Sequence, residues 1–143
     1  VDQPRLPRFK AYTNYDNYIG VGSWTTVAIN IADSNDQGVF DAGSNRFTAP
    51  VAGTYLLGAS LLFKQNASSS ARLRGRLLLN GATVLPGSFG EVSGAHETLA
   101  TALWLQTLSP LAAGDTVELQ AGFRGADGYV AADHTTFWGA RIG

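Results

Sequence analysis

At 143 residues, with 45% hydrophobic and only 15% charged residues, the chain is long enough for one core but carries less charge than soluble domains usually do. A net charge of −1 argues against nucleic acid or an anionic membrane as partner, and the absence of Cys excludes disulfides, thiolate catalysis and zinc–thiolate sites. No run approaches the roughly 20 apolar residues of a membrane-spanning helix, so membrane insertion is not expected. The shortage of charge predicts that some surface is buried against another copy. The chain opens at Val1, holds no Met and shows no signal segment. The expectation is a single domain, 1–143, forming the C-terminal head of a longer fibrous protein. Eight of the ten basic residues are Arg, and Ala and Gly are abundant, a bias that suits a GC-rich bacterial or phage gene.

Period-two alternation recurs along the chain, and no segment has a helical period. After the Pro4 to Pro7 start, Tyr12, Tyr15, Asp16, Asn17 and Tyr18 crowd a segment that reads as loop. Asp33 to Asp41 places oxygen-bearing side chains at spacings like those of a calcium loop, with Gly38 at the sixth position. Ser44 stands where that loop needs Glu, and flanking helices are absent, which favours a solvated turn. Val39 and Phe40 run into the turn-forming string Asp41-Ala42-Gly43-Ser44-Asn45. Phe47, Pro50 and Gly53 then lead to a strand over Thr54 to Lys64. That strand points Tyr55, Leu57, Ala59, Leu61 and Phe63 to one side and Leu56, Gly58, Ser60 and Leu62 to the other. Both faces are largely apolar, so both are expected to be covered, one by a core and one by a subunit interface.

A polar loop at Asn66 to Ser70 precedes Arg72 to Leu79. Asn80-Gly81 is a strong hairpin signal, with Thr83 to Leu85 returning. A long strand is expected from His96 to Leu108, ending at Ser109-Pro110. Thr116 to Phe123 alternates Val117, Leu119, Ala121 and Phe123 inward against Thr116, Glu118 and Gln120 outward. The turn from Arg124 to Tyr129 and a closing segment from His134 to Ile142 complete the chain. Eight or more short strands between turn signals favour a sandwich over an open sheet.

Three stretches in this order, Gly38 to Tyr55 (GVFDAGSNRFTAPVAGTY), Leu111 to Leu119 (LAAGDTVEL) and Thr136 to Ile142 (TFWGARI), with Phe9-Lys10-Ala11 before them, resemble the globular head of the complement component one-q family. That family shares its jelly roll with the tumour necrosis factor superfamily. The resemblance implies an all-β, two-sheet antiparallel jelly-roll sandwich of about ten strands. It also implies a homotrimer, in which both chain ends lie at one base and the Phe137 strand runs beside the start. Some members of the family hold calcium, but no ligand set of theirs maps onto this chain, and neither a metal nor a cofactor is assigned.

Catalysis is not expected. His96 and His134 lie far apart, each beside a carboxylate (Glu97, Asp133) that a strand would point to the opposite face, and no nucleophile elbow accompanies them. Arg72, Arg74 and Arg76 alternate, so their side chains share one face at steps of roughly 6.5 Å. Either carboxylates such as Glu97 or Glu118 answer them, or they cradle an anion. Tyrosines among Asn and Asp either pack the sandwich or trimer seam or form a recognition surface, where flat rings cover sugar faces and polar groups bond hydroxyls. The candidate ligand-binding residues are Tyr15, Asp16 and Tyr18, with Arg72, Arg74 and Tyr129. The functional expectation is a non-enzymatic trimeric head on a phage or bacterial surface fibre, outside the cell, that binds a cell-surface glycan or other receptor. The competing reading is a structural trimerisation or capping module without a ligand; a signalling ligand of tumour necrosis factor type fits the composition less well.

Overall fold

The computed structural model describes residues 6–93 and 101–143. All its ladders are antiparallel, and they form two sheets. In the first, β7 (Gly53–Gln65) is flanked on one side by β11 (Thr101–Leu111) and on the other by β14 (Thr136–Arg141) and β13 (Gly128–Val130). Beyond β14 lie β1 (Arg8–Tyr12) and β4 (Ile31–Asp36), and β2 (Asn17–Ile19) adds to β13. In the second, β8 (Arg72–Leu79) and β12 (Thr116–Arg124) are central. Strands β9 (Thr83–Val84) and β10 (Gly90–Val92) line β8, β3 (Trp24–Thr26) and β6 (Arg46–Thr48) line β12, and β5 (Phe40–Asp41) pairs β6. This is the two-sheet antiparallel jelly roll, and no helix occurs among the described residues.

Alternation dictates the core. Tyr55, Leu57, Ala59, Leu61 and Phe63 of β7 face Val117, Leu119, Ala121 and Phe123 of β12, and all are buried. Phe9 stacks on Phe40 at 5.1 Å and on Phe47 at 5.0 Å, and meets Phe137 edge-on at 5.0 Å. Those rings tie the first strand and the last to the opposite sheet. The strand containing Phe137 pairs with β1 along its whole length, as expected for a chain whose ends share one base.

Fourteen strand segments occur among the described residues where about ten were expected. The excess comes from two- and three-residue pieces, such as β5, β9 and β13, which are too short for a sequence period to reveal. Tyr18 belongs to one of them, β2, and not to a loop. Likewise, the calcium-like stretch is half strand: Asp33 and Asp36 lie on β4 and pair with Lys10 (3.6 Å) and Arg8 (2.5 Å). Asn35 closes the following turn by bonding the backbone of Phe40, while Gln37 and Gly38 supply positive φ of 64° and 63°. The expected hairpin is present, with positive φ at Asn80 (53°) and Gly81 (69°).

The long strand before Ser109-Pro110 does not stop there. It continues to Leu111, and its expected start, including His96 and Glu97, lies outside the described residues. Pro110 is tolerated because Thr54, its partner, directs both its N–H and its C=O towards the chain's last residues, Gly143 and Ile142. The pair therefore exchanges no hydrogen bonds, and the proline nitrogen points away from β7.

Candidate functional site

Register assembles the first cluster. Buried Asn17 and Ile19 turn Tyr18 outward on β2, and buried Gly128 and Val130 turn Tyr129 outward on β13. Pairing then aligns Tyr18, Tyr129 and Lys64 in one row across three strands. The two rings meet edge-on at 5.5 Å, and Lys64 Nζ stands 5.9 Å from the Tyr129 ring. The Tyr18 hydroxyl donates to Asp127 Oδ2 at 2.6 Å, and Asn66 donates to the same oxygen at 3.2 Å. Lys64 donates to Asp16 Oδ2 at 2.7 Å, while Asp16 Oδ1 accepts the Ala132 N–H at 2.9 Å. Asp16 is thus a brace between β7 and the segment after β13. Tyr15, 48% exposed, contributes its carbonyl to Thr13 and Asn17.

These contacts set the charges. The Lys64 hydrogen bond, with the Ala132 N–H, holds the Asp16 carboxyl below its usual range; bonding to Asp16 in turn raises Lys64. The Tyr18 hydroxyl, then Asn66, lower Asp127, and that carboxylate raises the Tyr18 phenol. A depressed carboxylate favours the folded state above its unfolded pKa, and the contribution is lost as pH falls through the folded value. Carbon-detected titration is therefore expected to place the Asp127 midpoint below the ordinary Asp range and to move it upward in Tyr18→Phe. An unchanged midpoint in that variant would show that the hydroxyl is not the cause.

The second cluster lies on the outer face of the other sheet. Leu73, Gly75 and Leu77 face the core, so Arg72, Arg74 and Arg76 face out. Gly122 pairs with Arg74 on one side and Trp24 on the other. A Cβ there would sit 3.2 Å from the Ser23 carbonyl oxygen and 3.4 Å from both the Arg74 guanidinium and the Trp24 ring, so the position between cation and indole is close-fitting. The guanidinium carbons of Arg74 and Arg76 stand 4.8 and 4.0 Å from the Trp24 ring centroid. Arg76 also donates to Gln120 at 2.8 Å, and burial, then the charge of Arg74, lower its pKa. Phe89, 56% exposed, meets Trp24 edge-on at 6.1 Å.

The carboxylates proposed from sequence do not answer these arginines among the described residues. Glu118 accepts the Thr26 hydroxyl at 2.6 Å, and Glu97 lies outside the described residues. Glu91 is gripped by Arg124 through two bonds of 2.8 and 2.6 Å, which lower its pKa.

A third surface is apolar. Trp104 (73% exposed) and Leu108 (58%) project from β11 beside half-buried Leu56 and Leu62 of β7. Trp138 of β14 lies across Gly58, where any Cβ would fall inside the indole. Ser60, Leu62, Ala102, Trp104 and His134 line a shallow hollow on this face.

The six candidate residues therefore do not form one site. Tyr18 and Tyr129 touch, Asp16 reaches them through Lys64, and Tyr15 adjoins. Arg72 and Arg74 occupy the opposite sheet. Sequence reasoning missed Trp24 and Phe89. Three aligned cations were the only signal, and the sequence reading met it with carboxylates or a bound anion, not with a π-face. No group of three or more His, Cys, Asp or Glu suited to a metal occurs among the described residues.

No protein-family model matches the chain, and no curated protein matches it. Among solved structures it is similar to the globular domain of zebrafish complement 1qA protein, with 18% identity and a TM-score of 0.68 over 96% of this chain and 98% of that one. It is also similar to the Eiger TNF of S. frugiperda, with 8% identity and a TM-score of 0.66 over 98% and 94%. The chain has the jelly-roll fold of these complement and tumour necrosis factor heads.

Proposed function

We propose that the chain is a non-enzymatic, homotrimeric binding head, the tip of a phage or bacterial surface fibre, that attaches to a cell-surface receptor, a glycan in the first instance. The observation that carries this reading is the Tyr18 row. An exposed ring is held in one orientation by its own hydroxyl and by a second ring, which is what a surface for the apolar face of a sugar requires. Its orientation is set before any ligand arrives, so little entropy remains to be lost on binding. Tyr15, Asp16, Tyr18 and Tyr129 form this surface, with Arg72 and Arg74 as a separate contact region.

An apolar outer face supports it. Trp104, Leu108 and Trp138 give the first sheet an apolar outer face of the kind that copies bury around a threefold axis. Three weak sugar contacts on one trimer would gain roughly a hundredfold in avidity on a repetitive receptor. Residues 1–143 would then be the head domain of a longer fibre protein, working outside the cell. The test is a Tyr15→Ala/Tyr18→Ala variant, expected to lose cell attachment while trimer mass and melting temperature stay nearly unchanged. Full attachment by the intact variant trimer would sink the assignment.

A structural trimerisation or capping module is the second reading. It is favoured by one fact: the hydroxyl of Tyr18, the carboxylates of Asp16 and Asp127 and the Lys64 ammonium already satisfy one another.

A further inference from the structure

The outer face of the second sheet holds more positive charge than its neighbours answer. Among the described residues, Arg72, Arg74, Arg76 and Arg124 share that face, and the ion pair recorded there joins Arg124 to Glu91. Arg74 and Arg76 lie over the Trp24 ring, and Glu91, the carboxylate opposite Arg74, feels the charges of Arg72 and Arg74 but gives its hydrogen bonds to Arg124. Stacking grips a guanidinium through its plane and leaves its in-plane N–H donors free to take a planar acceptor. The Arg74 Nε is buried without a hydrogen-bond partner, so no protein acceptor fixes this fork from behind. Beside it, Phe89 presents an exposed ring that touches Trp24.

Cations and aromatic rings side by side select among anions. A free phosphate uses only the cations, and nucleic acid is disfavoured by a net charge of −1. A pyranose bearing a carboxylate uses both: the carboxylate matches the guanidinium fork and the ring's C–H face lies on an aromatic. The apolar surface belongs to the other sheet, so association of copies through Trp104 and Leu108 leaves this face open.

We propose that this face binds a carboxylated saccharide, with Arg72 and Arg74 answering the carboxylate and Phe89 and Trp24 covering the sugar ring. The inference rests on the binding-head reading and specifies its ligand class.

The test is calorimetric titration of the intact protein with oligomers of galacturonate, mannuronate and N-acetylneuraminate, each beside its methyl ester. At least one acid is expected to bind, with the ester at least tenfold weaker. Arg72→Gln, an exposed change that spares the Trp24 stack, should weaken binding about tenfold, and Phe89→Ala several-fold. Lys10→Ala, an exposed change on the first sheet, should leave it unchanged. The proposal is overturned by silence from all three acids, by equal binding of the esters, by unaltered affinity in Arg72→Gln/Arg74→Gln, or by equal displacement with inorganic phosphate or a DNA oligonucleotide. Cell attachment separates the two ideas. If Tyr15→Ala/Tyr18→Ala abolishes attachment and no acid binds, the head reading stands and this one falls. If neither the tyrosine nor the arginine variants alter attachment, the head reading falls as well.

Discussion

A Trp104→Asp variant is expected to sediment as a monomer of 15.1 kDa, where the parent sediments at about three times that mass. Trp104 stands clear of the sandwich, so the change removes nothing from the core; Leu103 and Leu105, its neighbours on β11, remain buried. A tryptophan buries about 150–250 Å² at an interface, and at ~25 cal/mol per Å² its burial contributes at most about 4–6 kcal/mol per copy. The replacement also places a carboxylate in an apolar seam, where desolvation costs it further. Threefold repetition multiplies both effects. Equilibrium sedimentation at micromolar concentration decides the matter. A parent that is itself monomeric there ends the trimer reading, and a variant that keeps trimer mass moves the seam away from this face.

Phe137→Ala is expected to lower unfolding free energy by about 3–5 kcal/mol, the usual range for emptying a buried aromatic site. Phe137 is fully buried and meets Phe9 at 5.0 Å and Phe40 at 6.0 Å, both edge-on. Phe9 itself stacks on Phe47, so the hole opens in the contact that fastens the first and last strands to the opposite sheet. Rings on opposite sheets cannot close such a gap without moving a backbone. Urea titration of the two proteins measures the loss, and a shift below about 1 kcal/mol would mean that the cluster repacks freely.

The contrast between these variants shows what could be read from the chain alone. Long strands reveal their alternation because it repeats enough times to be seen: β12 announces its inward set, while β7 separates two faces that are both apolar and so does not say which one is the core. Strand β2 shows a single outward residue, Tyr18, and β13 likewise only Tyr129. Nothing local distinguishes such pieces from loop. Their meeting is a matter of register: Tyr18 and Asp127 are 109 positions apart and still share a hydrogen bond. The arginine face was half legible. Alternation placed the three cations together, but Trp24 reaches them through register: Gly122 of β12 pairs with Trp24 on one side and with Arg74 on the other. A pairing between distant strands leaves no pattern in a sequence.

Pro110 has a consequence for how this chain can aggregate. Strand β11 is eleven residues long and, among the described residues, pairs along one side only. A strand that long, with a free row of donors and acceptors, is a template onto which the same strand of another molecule could zip, and such growth has no natural end. The proline nitrogen faces that row and has no hydrogen to offer. In the proposed trimer, contact through side chains on the sheet face would close at three copies, whereas contact through backbone at the edge would make a fibril. By blunting the edge and leaving the face intact, one imino acid favours finite assembly over endless polymer.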